Sequence, residues 1–184
     1  GDLMRDFARL CRPGLDQPLC ILDRPGLDEP LLKALLVLHE LAAMALLGSV
    51  TFQAALMGPA GGVPGPSFLG RNSRIDVSGL STPITALFVV VIGLGACLYP
   101  SYRIMVRPYL ELHDLRGANG AFELKEHFAA LALLVQPLYW SAWRRPLAPS
   151  LAGTRRIVTF LLAGMVWWNF IVGNVIHHIG GPLQ

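Results

Sequence analysis

Cysteine and charged residues are both scarce in this sequence. Three cysteines occur among 184 residues, and none belongs to a CxxC or CxxCH pattern, which disfavours covalent haem attachment and a zinc ribbon. Charged residues make up 15% of the chain, against 53% hydrophobic residues. These are too few charges to cover the surface of a soluble globule, so the composition predicts an integral membrane protein in contact with the lipid bilayer.

Several signatures of other function classes are missing as well. The formal net charge is only +3, and no basic run alternates with aromatic residues, which disfavours nucleic-acid binding. GxSxG, GxGxxG and Walker patterns are absent, and the Gly-rich stretch 58–70 lacks the lysine of a P-loop. The sequence therefore gives no support to a hydrolase or to a nucleotide-driven pump.

Four stretches are long and apolar enough to cross a hydrocarbon core of about 30 Å, which takes roughly 20 helical residues. They cover residues 34–57, 84–105, 122–143 and 157–178. A chain in lipid must satisfy its own backbone hydrogen bonds, so each stretch should be a helix. The sequence thus predicts an all-α fold, an integral membrane four-helix bundle over residues 31–184, preceded by an extended arm.

The arm covers residues 1–30 and contains a repeated Arg-Pro-Gly-Leu-Asp motif, which begins at Arg12 and again at Arg24. Proline and glycine in this pattern predict paired turns rather than a helix. Cys11 and Cys20 flank the first copy. They would pair in an oxidising compartment and stay free thiols otherwise.

Four crossings place both termini and the loop between the second and third spans on one side of the membrane, here called side A. The other two loops lie on side B. The short loop between the third and fourth spans is flanked by Arg144, Arg145, Arg155 and Arg156. The positive-inside rule counts Lys and Arg in such short loops, so it favours side B in the cytoplasm and the termini in the periplasm. Side A carries more basic residues in total, which weighs against this orientation.

The histidines gather at one depth. None belongs to side B, and four lie near the side-A ends of three spans: His39, His127, His177 and His178. Ionisable residues are costly inside a bilayer and usually face the bundle interior or a cavity. We therefore expect a shared polar site near side A.

A b-type haem is the leading interpretation of this site. Two imidazoles on facing helices can ligate the iron axially, and the core of a bundle is a usual place for such a pair. Basic residues just beyond the second span could meet the haem propionates with charge-assisted hydrogen bonds. The residues concerned are His39 and His127, with His177 or His178 as the competing ligand, and Arg103 and Arg107 as the propionate partners.

Two other cofactors stay open. A Zn, Cu or Fe ion would take imidazole nitrogens and a carboxylate oxygen. The candidate ligands are His39, His127 and His177 or His178, with Glu123 or Glu126. Alternatively, a quinone or proton site would use a histidine and a carboxylate to accept and pass protons.

A structural interpretation competes with all three. Histidines at helix ends are often interfacial residues with one wet nitrogen, and small residues in the spans serve close helix packing. Four amides inside the spans should hydrogen-bond across helices rather than face lipid: Gln53, Gln136, Asn169 and Asn174.

The segments Leu38–Ala43 and Tyr99–His127 broadly resemble small four-helix membrane proteins of bacteria. That resemblance implies a bacterial inner membrane and carries over no functional residues. The leading functional expectation is an electron-transfer subunit that holds a haem or metal near side A within a larger membrane complex. The alternative is a cofactor-free accessory subunit of a respiratory or photosynthetic assembly, packed against other membrane subunits.

Overall fold

The computed structural model describes residues 29–58, 65–72, 75–144 and 147–179. Within these ranges the chain is helical and contains no strand. The helices are α1 (Glu29–Met57), α2 (Phe68–Asn72), α3 (Ser81–Ser101), α4 (Arg107–Leu112), α5 (Arg116–Trp143) and α6 (Ala152–Ile179). Short 3₁₀ turns precede α3 at Val77–Leu80 and α6 at Pro149–Leu151, and a π-helical turn at Tyr102–Val106 joins α3 to α4. The all-α prediction is confirmed for these residues.

Three helical segments are long and apolar enough to cross a membrane. They are Pro30–Met57, Val77–Ile104 and Pro149–Ile176, each of 28 residues. They contain the first, second and fourth predicted spans almost entirely, because long apolar runs are the property that both the sequence pattern and the helices share. The three segments make this chain compatible with an integral membrane protein.

The third predicted span, 122–143, lies within α5, which also has 28 residues. This helix is not among the three apolar segments. Its first half carries Glu123, Lys125 and Glu126, and its second half carries Gln136 and Pro137. The prediction of a fourth membrane span therefore depends on whether α5 crosses the membrane. The predicted arm falls almost wholly on residues 1–28, which lie outside the described residues, as do Cys11 and Cys20.

The four long helices surround one core. Each of α1 and α5 packs against both α3 and α6, and the α3–α5 pair packs least extensively of the four neighbouring pairs. Buried side chains from every helix meet in the side-B half, including Val50, Ile84, Tyr139 and Leu162. A smaller cluster near side A contains Val106, Leu110, Val172 and Ile176.

Side-chain hydrogen bonds link the helices within the side-B half. The Tyr139 hydroxyl donates to Oε1 of Gln53 over 2.7 Å, and Nε2 of Gln53 donates to the Val77 carbonyl over 2.9 Å. Nε2 of Gln136 donates to Oγ1 of Thr85 over 2.8 Å. The prediction that the two glutamines bond across helices is confirmed.

The same prediction is wrong for the two asparagines. Nδ2 of Asn169 donates to the carbonyl of Met165, and Nδ2 of Asn174 donates to the carbonyl of Phe170. Both acceptors lie four residues earlier on α6 itself. A short side chain reaches the carbonyl of the preceding turn more easily than a partner on another helix.

Candidate functional site

A cavity of about 540 Å³ lies among α1, α3, α5 and α6 in the side-A half of the bundle. Most of its lining is apolar, and the deepest lining residues, such as Leu46 and Phe88, belong to the buried core. The polar lining residues are His39, Glu40, Tyr99, Lys125, Glu126, Asn169 and Asn174. The cavity therefore has a polar end, where these side chains lie, and an apolar end.

His39 reaches the cavity from α1. Its Nδ1 is buried without a hydrogen-bond partner, whereas the ring is hydrogen-bonded to the backbone of Val91 on α3. A Cβ added at Gly95 of α3 would lie 3.3 Å from Cε1 of His39. Glycine at this position therefore leaves the space in which the imidazole packs, because a side chain there would push the ring away.

Lys125 reaches the cavity from α5. Its Nζ would lie 3.4 Å from a Cβ added at Gly173 of α6, and it lies 5.3 Å from the centroid of the Phe122 ring. The ring face attracts a cation at this distance. Within the described part of the chain, Nζ has no ion pair or hydrogen bond. A glycine on the neighbouring helix thus makes room for Lys125, as Gly95 does for His39.

His39 and Lys125 line the same cavity as the side chains of Glu40 and Glu126. Lys125 acts electrostatically on the His39 ring, Glu40 acts on His39, and Glu126 acts on Lys125. Glu40 is exposed and Glu126 is half-buried. The polar end of the cavity therefore holds groups of both signs, and its net charge is small.

His127 lies away from this cavity. It is exposed, and its Nδ1 lies 2.7 Å from the carbonyl oxygen of Glu123, one turn earlier on α5. His127 follows Lys125 by two positions, which is a rotation of roughly 200° about a helix with 3.6 residues per turn. The structure therefore does not bring His39 and His127 together.

The structure describes the side chains of some of the remaining candidate ligands and not of others. His177 and His178 belong to α6, and their side chains lie outside the described residues. Glu126 lines the cavity, whereas Glu123 is exposed beside α4. Among the described residues, no group of three or more His, Cys, Asp or Glu side chains is arranged to hold a metal ion.

The two arginines predicted near propionates lie at different places. Arg103 lies over the ring of Tyr99, a cavity residue, at 5.7 Å from its centroid. Arg107 pairs with Glu111 at 2.8 Å and with Glu123 at 3.7 Å. The hydrogen bond that Arg107 donates to Glu111 raises the pKa of its guanidinium above its ordinary value. Arg103 is thus close to the cavity, and Arg107 is already engaged by carboxylates.

Lys125, Gly95 and Gly173 are the site residues that the histidine pattern did not indicate. The cavity face of α5 runs through Phe122, Lys125, Glu126 and Ala129, a spacing of three and four that follows one helix face. A lysine within a predicted span is itself a signal, because its charge is costly unless it faces a cavity.

Comparisons with protein-family models, with curated proteins and with solved structures give no match for this chain.

Proposed function

We propose that this protein is an electron-transfer subunit of a larger membrane complex, and that the cavity at His39 and Lys125 holds its redox group. The observation that carries this proposal is the pair of basic side chains inside a largely apolar cavity. Ionisable groups at such depth cost free energy in a membrane protein and mark cofactor, proton or substrate sites. The unpartnered Nδ1 of His39 adds an open hydrogen-bonding position.

The proposal includes a fourth crossing by α5, with both termini on side A. Residues on one side of α5 are apolar and exposed, among them Leu131, Leu134 and Leu138. Leu134 is 72% exposed, which suits contact with lipid. Lys125 and Glu126 instead line the cavity, and Gln136 bonds to another helix. A helix with an apolar outer side and with polar residues toward the other helices can cross a bilayer as part of a bundle.

The orientation and the membrane are part of the same proposal. Arg155 and Arg156 lie at the start of α6, beside the short loop that follows α5. This arrangement favours side B in the cytoplasm of a bacterium, with the inner membrane as the location and the termini in the periplasm.

A b-type haem in this cavity would take His39 as one axial ligand, and His177 or His178 as the second. Arg103 would be its propionate partner, since Arg107 is engaged by Glu111 and Glu123. A protein-bound Zn, Cu or Fe ion would use His39 with Glu126. Both alternatives use the same end of the same cavity, and of the three ions only Cu and Fe would carry electrons, because Zn has no redox chemistry.

The test is a reduced-minus-oxidised visible spectrum of the purified full-length protein, with pyridine haemochrome, metal and quinone analyses on one sample. His39→Ala should remove the bound redox group, whichever it is, because this imidazole lies in the cavity. His127→Ala is the matched control and should retain it, because that ring is exposed on another face of α5. A protein without any redox group contradicts the proposal and supports the cofactor-free accessory subunit instead.

A further inference from the structure

The polarity of the cavity changes along its depth. Its side-A end has His39, Lys125 and Glu126, whereas its inner end is formed by Leu46, Phe88, Ala132 and Val166. The inner residues belong to the buried apolar core or are themselves largely buried. An occupant of this cavity therefore has a polar end near the membrane surface and an apolar body or tail.

Hydrogen-bond donors are concentrated at the polar end. The Lys125 ammonium has three donors and lies in the cavity without an ion pair among the described residues. The imidazole of His39 lies at the same end, and Gly95 and Gly173 leave the space for these two side chains. A ligand with accessible carbonyl oxygens would complete this arrangement.

We infer that the cavity binds the ring of a lipid-soluble quinone, with Lys125 donating a hydrogen bond to one of its oxygens and the open Nδ1 of His39 accepting one from the hydroxyl of its reduced form. This inference rests on the proposed redox function and names the group that the cavity takes. The aromatic residues Phe88, Phe122 and Phe170 line the same space, and aromatic side chains pack favourably against a flat ring.

The charges of the site favour a neutral ligand. Glu40 and Glu126 line the polar end together with the two basic residues. A fatty acid or a lipid phosphate would bring a negative charge to the end of the cavity that Glu40 and Glu126 line, and this repulsion offsets part of the attraction of Lys125. A quinone carries no charge and accepts hydrogen bonds.

The ligands needed for a haem are less complete among the described residues. Of the histidines whose side chains are described, His39 lines the cavity, and His113 and His127 are exposed. A quinone needs hydrogen-bond donors rather than a second imidazole at a fixed distance. The cavity therefore fits a quinone with the residues already in place.

An isoprenoid tail would leave the cavity between α3 and α5. These two helices pack least extensively of the four neighbouring pairs. Cavity residues on both sides of this seam are exposed, with Tyr99 at 39% on α3 and Leu133 at 52% on α5. Because the seam faces the lipid in a four-span bundle, a ligand could enter directly from the bilayer.

The experiment measures binding of decylubiquinone and of a short-chain menaquinone analogue to the full-length protein in phosphatidylcholine nanodiscs, by equilibrium partition and by tryptophan fluorescence. Quinone extracted from the purified protein is quantified in parallel. Lys125→Met should weaken binding of the quinone, and His39→Gln binding of its reduced form, each by about tenfold or more, the effect of losing a hydrogen bond inside a site. Lys33→Met and His127→Gln are the matched controls, and both should bind as the original chain does.

A glycine pair tests the site without removing either polar group. Gly95→Ala should weaken binding, since the added Cβ displaces the His39 ring. Gly93→Ala, two positions away on α3, meets no atom within 4 Å and should leave binding unchanged. If a charge-removing variant fails to fold, the comparison of Gly95→Ala with Gly93→Ala still tests binding at this cavity.

The results separate this inference from the proposed function. Quinone binding that is equal in all variants, or absent, overturns the inference. Haem or metal bound through His39 overturns it while leaving an electron-transfer subunit. Binding of oleate that Lys125→Met abolishes, with no quinone bound, also overturns it. The absence of any redox group overturns both the inference and the proposed function.

Discussion

Single polar side chains join the helices of this protein in its side-B half. The hydroxyl of Tyr139, a fully buried residue of α5, donates to Gln53 of α1. Trp143 of α5 likewise donates through Nε1 to Thr159 of α6 over 3.0 Å. Such bonds in membrane proteins contribute modestly, at about 0.6 kcal/mol on average and up to about 1.7. Each of these bonds joins one particular pair of helices and so favours their packing in this arrangement.

Tyr139→Phe should destabilise the bundle by about 1 kcal/mol, because Oε1 of Gln53 loses its donor inside the core. The measurement is the free energy of unfolding in detergent, read by far-ultraviolet circular dichroism. Ser141→Ala is the control on the same helix. Its hydroxyl is exposed and bonds only to the Leu138 carbonyl, so its effect should be within about 0.5 kcal/mol. An equal loss in the two variants would contradict the role given to the Tyr139 hydroxyl.

For single residues, the sequence predicts the position along the bundle axis better than the direction in which the side chain faces. His39 and His127 were both placed near side A, and only His39 lines the cavity. The inner face of α5 is set by which of its residues pack against α3 and α6, and that depends on contacts distant in sequence. Once Phe122, Lys125 and Ala129 are seen to share a face, the exposed position of His127 follows from helix geometry.

Helix α5 is the element on which the topology depends. It is as long as the three apolar segments, but Lys125, Glu126 and Gln136 on its inner side make its average composition more polar and conceal the apolar outer surface around Leu134. The sequence predicted the three helices that are apolar enough to cross a membrane, because uninterrupted apolar runs need no tertiary contact to be recognised. A helix with a polar inner face has no such independent signature.

A crossing by α5 predicts that its two ends lie on opposite sides of the membrane. In a chain whose three cysteines are replaced, Gly117→Cys at the start of α5 and Ser150→Cys beyond its end are both at exposed positions. A membrane-impermeant maleimide added to oriented vesicles should label one of them, and the other only after permeabilisation. Labelling of both from the same side would contradict the four-span topology.

The two halves of the bundle differ in what they contain. The side-B half contains the larger core and the hydrogen bonds between helices, whereas the side-A half contains the cavity with Lys125 and His39. Stability and ligand binding should therefore respond to different substitutions. In the proposed four-span bundle, the same packing of four helices gives both the apolar surface that faces lipid and the seam between α3 and α5 at the cavity.

A double comparison tests that division. Tyr139→Phe should lower the thermal midpoint and leave the content of bound redox group unchanged. Lys125→Met should lower that content with little change in the midpoint, because an unpaired charge is removed from an apolar cavity. Both properties are measured on the same purified samples, by a thermal scan and by the composition assays. Parallel changes in the two variants would mean that the cavity and the core are not separable.

The most direct test of the central claim is an anaerobic reductive titration of the full-length protein purified with its native lipids, which counts the electrons taken up per chain. The account predicts an uptake of at least roughly one electron, whatever the group that carries it, and the loss of this uptake in the His39→Ala, Lys125→Met double variant. An original chain that takes up no electrons, or a double variant that takes up as many as the original, would contradict it.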